Sequence, residues 1–276
     1  MTQTHLSPRD LPRGDGSDDA VGRALWAVEP DGRLVVFVHG FGGSSTSTWV
    51  QFPSLFPQRD ECGNADALFY EYDSLRTQTL LNGNLLFQFL DRLLSGPAAL
   101  ANSTLAPEVQ RPDGFRYDRV VLAAHSLGAV VARQALMAAH RSESEWLSRT
   151  RLVLFAPAHR GARVQALAMS ALTGIPWLSG LLNSASYFYP PLAELEPDSD
   201  LLRELQDDTE AAVAAGTGDR LLASQVVHGA KDKVVRALPF SQDPVALVVP
   251  DRDHVDVCKP CPDFATPLDA VVEQLR

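Results

Sequence analysis

A serine hydroxyl attacks a carbonyl carbon only when a base takes its proton and a carboxylate orients that base. Three residues of this sequence stand in an order that could do this: Ser126, Asp232 and His254. Ser126 lies in Ala124-His125-Ser126-Leu127-Gly128, between a strand-like run at 119–124 (RVVLAA) and an Ala-rich helical pattern at 127–140. A strand that turns abruptly into a helix at a serine lifts its hydroxyl above the sheet edge. The turn demands small residues two positions before and after. Gly128 meets that demand, and Ala124 adds one methyl group where glycine is usual. Serine is also a frequent helix N-cap; the clear strand before it and helix after it favour a nucleophile.

His254 is the only histidine after Asp232 in the chain, so a base in the order serine, acid, histidine has one candidate. Asp232 follows the strand-like run at 224–228 (SQVVH) and is favoured as the acid. Asp251 and Asp253 compete with it, but they neighbour His254 in sequence, where side chains rarely meet in the required geometry. The first turn of the helix after Ser126 has unpaired N–H groups, which makes Leu127 N–H a donor to a developing oxyanion. A second donor is expected from the Gly-rich turn His39-Gly40-Phe41-Gly42-Gly43-Ser44, with Phe41 N–H first and Gly42 next. His39 should hold this turn by hydrogen bonds, His125 should shape the elbow, and His228 reads as structural. His159, in a loop after the fourth strand candidate, could touch substrate.

The elements that must position these residues alternate as strand and helix. Strand candidates are 34–39, 67–72, 119–124, 152–156, 224–228 and 246–249, and helical patterns cover 80–94, 127–140, 164–182, 201–215 and 269–276. This alternation predicts an α/β fold, a mostly parallel central sheet flanked by helices. With 276 residues and 45% hydrophobic content, one domain over 21–276 is expected, preceded by a loose Pro-, Gly-, Asp- and Ser-rich leader at 1–20. Residues 160–200 form a candidate lid or cap. Trp177, Leu178, Leu181 and Phe188 could line an acyl pocket there, or simply be core.

A net charge of −10 argues against nucleic acid or an anionic membrane as a partner held by charge. No run approaches the roughly 20 apolar residues of a membrane helix. Cys62, Cys258 and Cys261 read as ordinary thiols rather than a disulfide framework, and the CKPC pair alone is weak evidence for a metal. A cytoplasmic protein is expected.

Several pieces resemble one family together: FVHGFGG with Trp49 downstream, YEYDS at 70–74, AHSLGA at 124–129, APAHRGA at 156–162, HGAKDKVV at 228–235 and DHVDVCKP at 253–260. They are similar to α/β-hydrolases of the lipase-like group that includes the SERAC- and PGAP-type lipid hydrolases. The resemblance implies the α/β-hydrolase fold, with Ser126 as nucleophile, Asp232 as acid and His254 as base. It also implies ester hydrolysis without a metal or organic cofactor. The expected activity is therefore cleavage of a small acyl ester or lipid-like substrate through an acyl-enzyme. A thioesterase, amidase or acyltransferase would use the same three residues, and a non-catalytic binding module could keep the fold.

Overall fold

The computed structural model describes residues 4–12, 20–171 and 189–276. Eight strands form one sheet in the order β1-β2-β4-β3-β5-β6-β7-β8. They are β1 Arg9–Pro12, β2 Ala20–Leu25, β3 Arg33–Val38, β4 Asp66–Tyr70, β5 Arg119–His125, β6 Thr150–Phe155, β7 Gln225–Gly229 and β8 Leu247–Val249. β1 and β2 run antiparallel to their neighbours, and every pairing from β4 to β8 is parallel. The described α-helices are α1 Phe52–Leu55, α2 Thr79–Ser95, α3 Pro97–Asn102, α4 Leu127–Arg141, α5 Val164–Ala171, α6 Pro190–Glu194, α7 Asp200–Ala214 and α8 Thr266–Leu275.

The centre of the sheet follows from continuous apolar sequence. Leu34 to Val38 in β3 and Val120 to Ala124 in β5 are wholly buried, as strands covered on both faces must be. Each such valine or leucine contributes about 1.5–3 kcal/mol relative to exposure. α2 and α4 pack against each other, α4 against β3 and β5, and α8 against β3, β5 and β6. The start of β4 buries a charge. Asp66 accepts hydrogen bonds from Arg111 Nη2 (2.7 Å), Tyr117 Oη (2.6 Å) and Ala27 N–H (2.8 Å), which satisfies a carboxylate that the core would otherwise exclude.

The six expected strands are present with ends shifted by up to two residues. The leader expected at 1–20 needs correction over residues 4–12. Arg9–Pro12 pairs with β2 as an edge strand, Leu11 points into the core, and His5 Nε2 lies 2.8 Å from the Ala65 carbonyl oxygen. Pro12 is tolerated because it sits at the end of an edge strand, where no ladder donor is missed. The helical pattern expected at 164–182 is described only as α5, Val164–Ala171. Trp177, Leu178, Leu181 and Phe188 lie outside the described residues.

Candidate active site

β5 delivers Ser126 into a backbone conformation that L-residues rarely adopt, φ 54° and ψ −120°. Such strain persists only where the surroundings over-determine it. Here they do. Ser126 N–H donates to the Phe155 carbonyl of β6 (3.0 Å), and its own carbonyl accepts from Ala129 and Ala158 N–H (3.0 and 3.2 Å). Gly128 is obligatory by contact, because a Cβ there would sit 2.3 Å from the His39 carbonyl oxygen. Gly40 is similarly placed, 2.9 Å from the Ser126 Cβ for any added carbon. The extra methyl of Ala124 is accommodated fully buried in β5. The Ser126 side chain does not cap α4, so the N-cap use of serine does not apply.

The hydroxyl instead meets His254. Ser126 Oγ lies 2.9 Å from His254 Nε2, and His254 Nδ1 lies 2.9 Å from Asp232 Oδ2. The other oxygen of Asp232 accepts N–H bonds from Val234 (2.8 Å) and Val235 (3.0 Å). Burial alone would raise the Asp232 pKa, but the His254 ring and these N–H groups outweigh it and hold it below the usual aspartate range. Asp251 and Asp253 are engaged elsewhere. Asp251 pairs with Lys231 at the surface (2.6 Å), and Asp253 accepts from Val255 and Asp256 N–H within its own turn. The loops bearing acid and base are tied together where Lys231 N–H donates to the Arg252 carbonyl (2.9 Å). Gly229 allows the approach, since a Cβ there would lie 2.3 Å from that same oxygen.

His125 makes a contact that a linear reading of the elbow does not reveal. Its Nε2 lies 2.8 Å from the His254 carbonyl oxygen, which requires Nε2 to carry the proton. Burial first, then the neighbouring His254, push the His125 pKa down to about 3, so the ring is a neutral donor at ordinary pH. His125 thus fixes the backbone of His254.

The Gly-rich turn is anchored from three directions. His39 Nδ1 lies 2.9 Å from the Gly40 carbonyl, and its Nε2 is 3.2 Å from Glu71 Oε1. Glu71 also accepts from Ser45 N–H (2.7 Å), and Tyr72 Oη donates to the His39 carbonyl (2.6 Å). Burial would raise the Glu71 carboxyl; the His39 and Ser45 contacts outweigh it and leave it below its usual range. Gly42 is a correction to the expected oxyanion donors, because its N–H donates to Ser74 Oγ (3.0 Å) and is already committed. The N–H groups of Phe41 and Leu127 have no hydrogen-bond partner among the described residues.

These groups line one cleft of about 270 Å³, which holds Gly40, Phe41, Ser126, His125 and His254, with Leu167 and Ser170 of α5 and Lys259 at its walls. His159 is not among them. It is buried against Phe240 (ring centroids 4.8 Å apart) and lines a separate, larger cleft of about 420 Å³ beside Arg160, Arg163 and Arg236. Ser74, Glu71 and Tyr72 were legible only as part of the YEYDS pattern and Lys259 only as part of DHVDVCKP, whereas Leu167 and Ser170 carried no signal beyond the helical pattern at 164–182. Among the described residues, no group of three or more His, Cys, Asp or Glu is placed to hold a metal ion, and no helix is long and apolar enough to cross a membrane.

No protein-family model matches the chain. No curated protein matches it either. Solved structures do resemble it. The mature form of the Bacillus licheniformis lipase BlEst2 superposes with a TM-score of 0.54 at 17% identity, covering 87% of this chain and 92% of the lipase. The peroxisomal α/β-hydrolase Lpx1 of Saccharomyces cerevisiae gives 0.52 at 12% identity, covering 99% and 82%. With the strand order above, these similarities establish the α/β-hydrolase fold.

Proposed function

We propose that the protein is a serine hydrolase that cleaves carboxylic esters through an acyl-enzyme. One observation carries this reading: the continuous hydrogen-bonded line from Ser126 Oγ through His254 to Asp232, starting at a residue held in a strained turn. Asp232 keeps His254 Nδ1 protonated, which leaves Nε2 free to accept. As Ser126 Oγ bonds to the acyl carbon, its proton passes to His254 Nε2. The carbonyl oxygen becomes an oxyanion between the free N–H groups of Phe41 and Leu127. The imidazolium then protonates the leaving alkoxide as the ester C–O bond breaks. Water, deprotonated by the same nitrogen, attacks the acyl-serine and releases the acid.

The lipase named among the structural neighbours supports an ester substrate, and the similarity of the DHVDVCKP and YEYDS segments to SERAC- and PGAP-type enzymes supports a lipid-like one. Three free thiols suit a reducing compartment, and we assign the activity to the cytoplasm. The test is turnover of short p-nitrophenyl esters. Ser126→Ala should remove activity by several orders of magnitude while unfolding transitions stay unchanged. Retained turnover in that variant would rule out the mechanism.

A further inference from the structure

The cleft around Ser126 has an uneven electrostatic lining. Among its described lining residues Lys259 is the single lysine or arginine, and none is an aspartate or glutamate. Lys259 is half-buried and makes no ion pair within 4 Å among the described residues. Of the nearby acidic residues, Asp263 makes no ion pair among the described residues, and Asp253 and Asp256 are engaged elsewhere. Asp253 caps its own turn, and Asp256 accepts from Asp253 N–H and faces Arg252. The ammonium nonetheless acts on the site, because its charge contributes to lowering the His125 pKa. Burial of Cys258 fixes the stem of this loop: its Sγ lies 3.9 Å from the Thr48 carbonyl oxygen, next to the hydroxyl-bearing segment Ser47–Thr48 that lines the same cleft.

A lysine at the wall of this cleft with no acidic partner within 4 Å among the described residues leaves its ammonium available to an anionic ligand. The setting makes the point stronger. A chain of net charge −10 repels anionic molecules at long range, so an anionic substrate needs a local cation to be held. We propose that Lys259 is a specificity residue that binds a negatively charged group of the substrate. The esters taken by this site would then carry a carboxylate or phosphate close to the scissile carbonyl. This rests on the esterase reading above and narrows its substrate class.

The anionic group can lie on either side of the ester bond, and two substrate pairs separate the cases. p-Nitrophenyl butyrate against p-nitrophenyl hemisuccinate places a carboxylate on the acyl side. A monoacylglycerol against a lysophosphatidic acid of the same chain places a phosphate on the alcohol side. The expected result is a kcat/KM ratio favouring the anionic member by about tenfold in at least one pair, falling as ionic strength rises. Lys259→Met should bring that ratio to about one, Lys259→Arg should keep most of it, and Lys259→Glu should invert it. Turnover of neutral esters with no anionic preference in either pair, or a ratio unmoved in Lys259→Met, overturns the role of Lys259 and leaves the esterase standing. Absence of turnover for all four substrates, together with no fluorophosphonate labelling, overturns the esterase reading and this one with it.

Discussion

Replacing His125 with glutamine tests how the site holds its base, because His125 has two separable effects. Its Nε2–H donates to the His254 carbonyl over 2.8 Å inside a buried site. Loss or misplacement of that donor leaves a carbonyl unsatisfied, at about 1–3 kcal/mol. The second effect is a proton linkage. The folded pKa of His125 is pushed down to about 3, whereas the unfolded ring titrates near 6.5. Between those values the unfolded chain binds more protons than the native one. Wild-type stability from this group is therefore complete above pH 6.5 and falls by about 1.4 kcal/mol per unit below it. Glutamine has no such proton. Urea unfolding at pH 8 and pH 5.5 reads both terms. At pH 8 the variant should be less stable by about 1–3 kcal/mol. At pH 5.5 the gap should shrink by about 1.4 kcal/mol, reversing sign if the hydrogen-bond term is at its lower end. A gap that does not change with pH would refute the buried neutral histidine, and a variant with unchanged kcat would refute its part in positioning His254.

Three further outcomes follow from the same contacts. Asp232→Asn should preserve the fold and lower kcat on p-nitrophenyl esters by about 10⁴-fold, since an amide cannot keep His254 in the required tautomer; a drop under tenfold would transfer the acid role elsewhere. Leu11→Ala should cost about 2–4 kcal/mol in urea unfolding, because its side chain is fully buried in β1; a change under 0.5 kcal/mol would return residues 4–12 to a loose leader. Gly128→Val should prevent recovery of folded protein, as its side chain would overlap the backbone carbonyls of His39 and Val38; a folded, active variant would contradict the packing of the elbow.

The parts of this site that were legible in sequence are those set by local pattern. β3 and β5 announce themselves as uninterrupted apolar runs, and the serine between β5 and α4 inherits its position from them. Asp232 and His254 were legible because chain order left few candidates. β1 was hidden because a four-residue edge strand buries one side chain, Leu11, within a stretch whose Pro, Gly and Asp content reads as loop. The surroundings of Gly42 and His159 were hidden for a different reason. Whether a loop N–H is free depends on a partner 32 residues away, Ser74, and no spacing rule encodes that contact. His159 follows β6 as expected, yet Phe240 draws it into packing instead of the cleft. Lys259 likewise gains meaning only when the loop after β8 folds back beside Ser47 and Thr48.

The central claim is that Ser126 is the nucleophile, and covalent labelling addresses it most directly. The intact protein should take up one fluorophosphonate per chain, and peptide mass spectrometry should locate the adduct on Ser126. Labelling should disappear in Ser126→Ala and slow sharply in His254→Ala. No adduct, or an adduct on another residue with Ser126 unmodified, would contradict it.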